Sequence, residues 1–352
     1  MELVQTTKNA MNILFLQSAH YSYDDRVWYH QRTALEEAGF WVDVCGKEEL
    51  LDPEEPINWR EEAVGVHAII TDTPRALWLV RNAKHTKLVY DITEWYPSKK
   101  NLRGLWLPCR WGKAFLMAMA SLWAGFKADA FIFGEHYKAV PFRILFPRKP
   151  YIYLPYYPDL QYIVSTPPRT ISRQCRLLYA GPLTAEKGYY RVLKVVREAQ
   201  RRCPDTDFCL DIITNNPIAT QLASGTGINY RPYLPFDAFC QTLAQYDLFL
   251  DLRDCDRENT RCLPIKLFYY MACGRPGIYS DLCAIRQGVP EFRDCLSLVH
   301  SAEEAADAIV RYVNTPALYQ SHCRNARTLS QRKYNWGQIK HNLQQLLTDI
   351  CQ

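Results

Sequence analysis

Two lysines stand where a chain could hold a phosphate. Lys266 lies in the run PIKLFYYMACG, in which Pro264 can open a helix because a first turn leaves its N–H groups unpaired anyway, and Gly274 can close it. The spacing predicts a helix from Pro264 to about Cys273, with Leu267, Tyr270 and Met271 on one face. A cation in that first turn suits the helix dipole poorly, but it is well placed to flank an anion seated on the free N–H groups. Lys187 occupies a similar place. It follows the strand-like RLLYAG and its Gly181, and it precedes a helix whose apolar face includes Val192, Val195, Val196 and Ala199. Solvated lysines scattered at random would seldom recur at two strand-to-helix junctions of one domain.

A second group of polar residues lies in the first half. KLVYDI is a buried-strand pattern, and Asp91, Thr93 and Glu94 fall at its carboxyl end, where open parallel sheets bind ligands. Asp24, Asp25 and Arg26 follow the first strand. They suit either a substrate contact or capping of the helix that begins there. Glu94 is open to the same choice, between substrate contact and a capped local turn. The loop DLRDCDREN, from Asp251 to Asn259, is acidic, but arginines interrupt it and it lacks the ordered spacing of a calcium loop, so it reads as salt-bridged or solvated.

These residues need elements to position them, and the chain supplies two series of strand, loop and helix. NILFLQ, FWVDVCG, HAIITD, KLVYDI and ADAFIFG read as strands of a first parallel sheet. RLLYAG, FCLDIITN, INYRPYLP, LFLDLRD and PGIYSD read as strands of a second, and PIATQLASG and FDAFCQTLAQYD as helical connectors. The polar, proline-rich STPPRTISRQ separates the two series. A terminal helix carries Ile339, Leu343, Leu346, Leu347 and Ile350 on one face. The expected domains are 1–168, 169–334 and a closing helix at 335–352. The loop after the first strand contains no glycine, so GxGxxG dinucleotide binding is disfavoured and an oxidoreductase becomes a distant reading.

The motifs carry a resemblance. PxKLFxYMAxGxP followed by a strand and SD, the YxGxLxxxKG pattern at Tyr179 to Gly188, and DDRV at Asp24 to Val27 together resemble family 4 glycosyltransferases of the GT-B fold. The resemblance covers nearly the whole chain. It implies an α/β architecture of two Rossmann-like domains with parallel sheets facing across a cleft, the first binding acceptor and the second a nucleotide sugar. It implies that Gly181, Lys187, Pro264, Lys266 and the position of Tyr269 bind the donor, that Asp25 and Arg26 serve the acceptor side, and that Glu94 and Thr93 lie nearest the reaction. Four positions depart from the family pattern. Tyr269 stands for a ribose-binding glutamate, Arg261 for its partner glutamate, Pro182 for an arginine and Thr93 for a histidine, while Glu94 and Tyr96 match. The implied reaction moves a sugar from a nucleoside diphosphate to an acceptor hydroxyl with retention, the leaving phosphate deprotonating the acceptor, with no metal or other cofactor. The substitutions leave open a non-catalytic protein that binds glycan or a partner glycosyltransferase.

Composition sets the remaining bounds. Lysine plus arginine number 42 against 37 for aspartate plus glutamate, which suits an anionic substrate or membrane surface without demanding nucleic acid. Between Trp95 and Lys127, Trp95, Trp106, Trp111 and Trp123 alternate with Lys99, Lys100, Arg103, Arg110 and Lys113. That mixture fits a face lying on anionic headgroups and a lipid-linked acceptor, or equally a core helix with a basic edge. No RNA-binding signature accompanies it. Its longest apolar run, Ala114 to Phe126, is well short of the ~20 residues a spanning helix needs. The 13 scattered cysteines read as free buried thiols, and the N-terminus lacks signal-peptide features, so the expected location is the cytoplasm or the cytoplasmic membrane face.

Overall fold

The computed structural model describes residues 11–50, 64–94, 97, 99–217, 227–256 and 258–352. Two six-stranded sheets are present, every strand pair parallel. The first contains β1 (Asn12–Leu16), β2 (Trp41–Cys45), β3 (Ala68–Thr71), β4 (Lys87–Ile92), β5 (Ala130–Phe133) and β6 (Tyr151–Tyr153), in the order β2-β1-β3-β4-β5-β6. The second contains β7 (Gln174–Ala180), β8 (Asp207–Thr214), β9 (Ile228–Pro232), β10 (Leu248–Asp251), β11 (Gly277–Ser280) and β12 (Ser297–Val299), in the order β12-β11-β10-β7-β8-β9. Strand order reverses beside β1 in the first sheet and between β7 and β10 in the second, and loops at such switch points form the usual ligand crevice.

Ten strands lie where the apolar runs predict them. Inner strands such as Ala68–Thr71 and Ala130–Phe133 are buried on both faces, because helices cover a parallel sheet on each side, whereas the edge strands β2 and β9 are mostly half-buried or exposed. β6 and β12 are three-residue strands at sheet edges, too short to carry a pattern of their own. The connector PIATQLASG falls largely outside the described residues.

The chain divides into two compact units, residues 1–156 with 339–352, and residues 157–338. The segment 157–168 packs with the second unit. The Tyr157 ring meets Phe268 edge-on at 4.7 Å, and the Arg275 guanidinium donates to the Thr166 carbonyl at 3.1 Å. In the first unit the terminal helix Lys340–Cys351 packs on α1 (Thr33–Glu37) and β6, and Gln344 donates to the Ala34 carbonyl at 2.8 Å. α1 is preceded by a π-helical turn, Val27–Arg32.

α2 (Leu107–Lys127) departs from the core alternative. Of its 21 residues only Ala124 and Gly125 are buried. Trp111, Phe115, Leu116 and Phe126 are each more than 60% exposed, at 74%, 65%, 67% and 67%. Its docked end is held by Gly125 against the Phe146 ring and by Lys149, whose ammonium donates to the Gly125 and Phe126 carbonyls at 2.8 and 2.7 Å, a cation at a helix C-terminus. α3 (His136–Leu145) lies beside it in sequence and adds exposed Val140, Ile144 and Leu145. Trp95 and Tyr96 lie outside the described residues. All 13 cysteines are free, but Cys109, Cys255 and Cys262 are exposed, not buried.

The second unit is organised by a close approach. Gly188, the residue before α4 (Tyr189–Arg202), has φ +83° and faces the Leu252 backbone so closely that a Cβ would lie 2.0 Å from the Leu252 carbonyl oxygen. Only glycine fits there. The Asp254 N–H donates to the Glu186 carbonyl at 2.9 Å, and Arg191 donates to Asp254 at 2.7 Å. The loops after β7 and β10 are thereby pinned side by side.

Candidate functional site

In the second unit the pinned loops bring Lys187 to Asn259. The Lys187 ammonium donates to Asn259 Oδ1 at 2.9 Å and lies 3.3 Å from a Glu186 carboxylate oxygen. Asn259 is only 3% exposed, and its Nδ2 is buried without a hydrogen-bond partner. A buried amide donor left unsatisfied costs roughly 1–3 kcal/mol. A ligand oxygen would satisfy it. Lys187 and this donor form a small electropositive pair of the kind that charge-assisted hydrogen bonds to an anion use.

Asn259 is set by its own loop. The Asp256 carboxylate accepts the Glu258 and Asn259 N–H groups at 2.9 Å, and the turn Asn259–Arg261 follows. Nearby, the half-buried Asp251 accepts from Arg253 Nε at 2.8 Å, and the Arg253 carbonyl accepts the Ser280 hydroxyl at 2.6 Å. The acidic loop is therefore salt-bridged, as its interleaved arginines suggest. Among the described residues no group of three or more histidine, cysteine or acidic side chains is placed to hold a metal.

α5 (Ile265–Ala272) begins after Pro264, one residue inside the predicted start, and Gly274 closes it at φ +74°. Lys266 is exposed in its first turn. Tyr269, three residues on, is buried instead. That ring is 3% exposed and packs edge-on against Phe236 at 5.9 Å. The tyrosine fills the interior where the family pattern has a polar ligand. Gly181 closes β7, its N–H on the Ile213 carbonyl at 2.9 Å, and the Pro182 carbonyl accepts the Tyr179 hydroxyl at 2.7 Å, fixing the turn ahead of Lys187.

In the first unit the sequence-predicted residues are largely engaged with one another. Arg26 donates to both oxygens of buried Asp91, at 2.6 and 2.5 Å, and Gln31 adds a bond at 3.3 Å. The Arg26 charge thus holds β4 to the turn after β1. Asp24 caps that turn, accepting the Arg26 N–H at 3.2 Å, and the Asp25 carbonyl meets His30 Nδ1 at 3.1 Å. Past β3, the Asp72 carboxylate accepts the Ser18 and Ala19 N–H groups at 2.9 Å each, filling with a side chain the backbone donors that an anion could otherwise use. Burial pushes its pKa up, against those hydrogen bonds.

Two residues escaped the sequence reading. Lys138, from α3, donates to the Thr93 carbonyl at 2.5 Å and lies 3.6 Å from Glu135, so a cation stands at the end of β4. His20 has Nδ1 3.2 Å from Asp24, while its Nε2 is buried with no hydrogen-bond partner. The hydrogen bond to Asp24 raises its pKa, burial opposes, and the charges of Asp24, Asp72 and Glu94 add to the rise. Asp24 is lowered in turn: burial alone would raise it, but the His20 hydrogen bond and charge together with the Arg26 charge and N–H outweigh that. Neither residue belongs to a motif, and only the sheet's topology gathers them around Glu94. The charged histidine stabilises the fold fully below its unfolded value of 6.5 and loses that contribution as pH rises through the higher folded value. The charged aspartate contributes above 3.8 and loses it as pH falls through its lower folded value. A proton NMR titration is expected to place the His20 midpoint above 6.5, and Asp24→Asn to bring it back down. A midpoint unmoved by Asp24→Asn would contradict the pairing.

Comparisons place this geometry among known proteins. Residues 196–348 match the family model described as glycosyl transferase-like. No curated protein sequence matches the chain. Among solved structures, sucrose-phosphate synthase from Thermosynechococcus elongatus is 15% identical with a TM-score of 0.67, over 97% of this chain and 99% of that one. Anabaena HepE, solved with UDP-glucose, is 16% identical with a TM-score of 0.63, over 96% and 100%. The pneumococcal O-GlcNAc transferase GtfA, solved with UDP and GlcNAc, is 14% identical with a TM-score of 0.59, over 82% of this chain and 58% of that one. The chain thus has the GT-B fold of these structures along nearly its whole length, and its residues 196–348 match the glycosyl transferase-like model.

Proposed function

We propose that the protein is a retaining glycosyltransferase that takes a sugar from a nucleoside diphosphate held by the second unit and passes it to an acceptor hydroxyl bound by the first. The observation carrying this reading is the Lys187 to Asn259 pair, an ammonium beside a buried amide donor with no partner. The diphosphate would satisfy that donor, with Lys187 and the α5 N-terminus bearing Lys266 neutralising the charge that grows on the leaving group. Ribose recognition must differ from the family pattern, because Tyr269 is enclosed by protein. Arg261, exposed in the turn next to Asn259, is the nearest substitute. With two lysines supplying counter-charge, the reaction is expected to need no divalent metal.

On the acceptor side, His20 and Glu94 offer the contacts that the family's motif histidine, here Thr93, would have made. Asp25 and Arg26 then act as framework, since Arg26 is committed to Asp91. A second reading, a donor-binding protein without turnover, draws on the burial of Tyr269. Incubation with a panel of nucleotide sugars, starting with UDP-glucose because Anabaena HepE was solved with it, separates the two. Slow sugar release that survives chelator, with the anomeric configuration kept, is expected. Thermal stabilisation without release would favour the second reading, and no response to any member of the panel would remove both.

The exposure of α2 supports a peripheral membrane role. No described helix is long and apolar enough to cross a membrane. α2 instead presents Trp111, Phe115 and Leu116 to solvent, with Arg110, Lys113 and Lys127 and no acidic residue along its length. A helix of that make-up lies in the interface of an anionic bilayer. Co-sedimentation with phosphatidylglycerol vesicles is expected at low salt, falling as salt shortens the Debye length and falling again for Trp111→Ala with Phe115→Ala. Absence of binding at low salt would assign the face to another partner.

A further inference from the structure

We propose that a cavity beside α2 and α3 is the binding site for the apolar chain of a lipid-linked acceptor, with the acceptor's polar head at Glu94. The inference rests on the transferase reading above and names the substrate class for its acceptor side. The cavity measures about 180 Å³ and is lined by Tyr90 and Ile92 of β4, by Ala118, Ser121 and Leu122 of α2, and by residues from Pro141 to Phe146 at the end of α3. Its floor is buried, with Tyr90 and Ile92 at 1% and 2% exposure, whereas Ala118 and Leu145 at its other side are exposed. Glu94 is the one carboxylate among the lining residues. An engineered dry cavity of about 150 Å³ holds benzene, so this one suits a segment of about six carbons.

Three features fix the occupant as a membrane lipid rather than a soluble apolar metabolite. Along α2 the exposed liner Ala118 shares its helical face with exposed Phe115 and Trp111, three and seven residues before it, and on α3 exposed Ile144 adjoins the liner Leu145, so apolar surface continues outward from the cavity. α2 and α3 also carry exposed Arg110, Lys113 and Arg143, complementary to anionic headgroups. Glu94 marks the polar end of the cavity, just past the carboxyl end of β4 and next to Thr93, whose carbonyl accepts the Lys138 ammonium. A lipid head drawn to Glu94 would therefore bring its hydroxyl among the acceptor-side groups while its chain remains in an apolar environment.

The test uses the full chain and n-alkyl β-glucosides from hexyl to dodecyl below their micelle concentrations, with a diazirine-bearing decyl glucoside as photolabel. Affinity is expected to rise about fourfold per methylene until about six carbons are buried, then to level. The label is expected on peptides spanning Ala118–Leu122 and Pro141–Phe146. Ser121→Phe, which fills the cavity from α2, is expected to lower decyl glucoside affinity at least about tenfold, with melting temperature and UDP binding as controls for folding. If Ser121→Phe does not fold, the labelling pattern of the unaltered chain decides. Affinity independent of chain length, label confined to the outer face of α2, or a self-association that excludes the label would each overturn the site. UDP binding that persists while the glucosides fail would sink this inference alone. Chain-length-dependent binding without any nucleotide response would instead sink the transferase reading.

Discussion

The close approach of Gly188 to the Leu252 backbone is the constraint on which the second unit's site depends. A left-handed residue at that point lets the loop after β7 turn directly into α4, and the missing Cβ lets it lie against the loop after β10. Any side chain would meet the Leu252 carbonyl and drive the loops apart, on top of roughly 1–3 kcal/mol of backbone strain. Two consequences follow from the contact. Lys187, the residue before Gly188, reaches Asn259 across the pinned loops, and the switch point of the sheet becomes a place with cationic and amide donors side by side.

The first unit treats the equivalent position in the opposite way. Its backbone donors after β1 are taken by Asp72, and its arginine is taken by Asp91, so the carboxyl end of that sheet is largely neutralised from within. Losing one member of such a buried pair is costly, about 3–5 kcal/mol, which gives Arg26 and Asp91 a structural reason to be present. What remains open there is different in kind: the uncommitted Nε2 of His20, and an apolar cavity. The proposed anionic donor on the second unit and partly apolar acceptor on the first rest on that asymmetry.

Much of this was legible in the sequence. Runs such as AIIT and AFIF announce strands buried on both faces, and Pro264 with Gly274 bracket α5 to within a residue. Edge strands of three residues were not legible, because they are shorter than one period of any pattern. The pairing of Arg26 was not legible for a related reason. Its partner Asp91 is 65 residues away, and only the pairing of β1, β3 and β4 brings them together. His20 and Lys138 are single polar residues in ordinary loops and helices, so no local spacing could mark them. Tyr269 shows the limit of a motif position, since the backbone site is kept while the side chain has turned to packing against Phe236. The exposure of α2 could not be read either, because the same apolar run would serve a core helix equally well.

The most direct test of the central claim is a calorimetric titration of UDP into the full chain in the presence of chelator, repeated with Lys187→Ala. A charge-assisted hydrogen bond is worth about 1.5–3 kcal/mol, so the substitution is expected to weaken binding by roughly ten- to a hundredfold while the melting temperature holds. UDP affinity unchanged within twofold by Lys187→Ala would contradict the account.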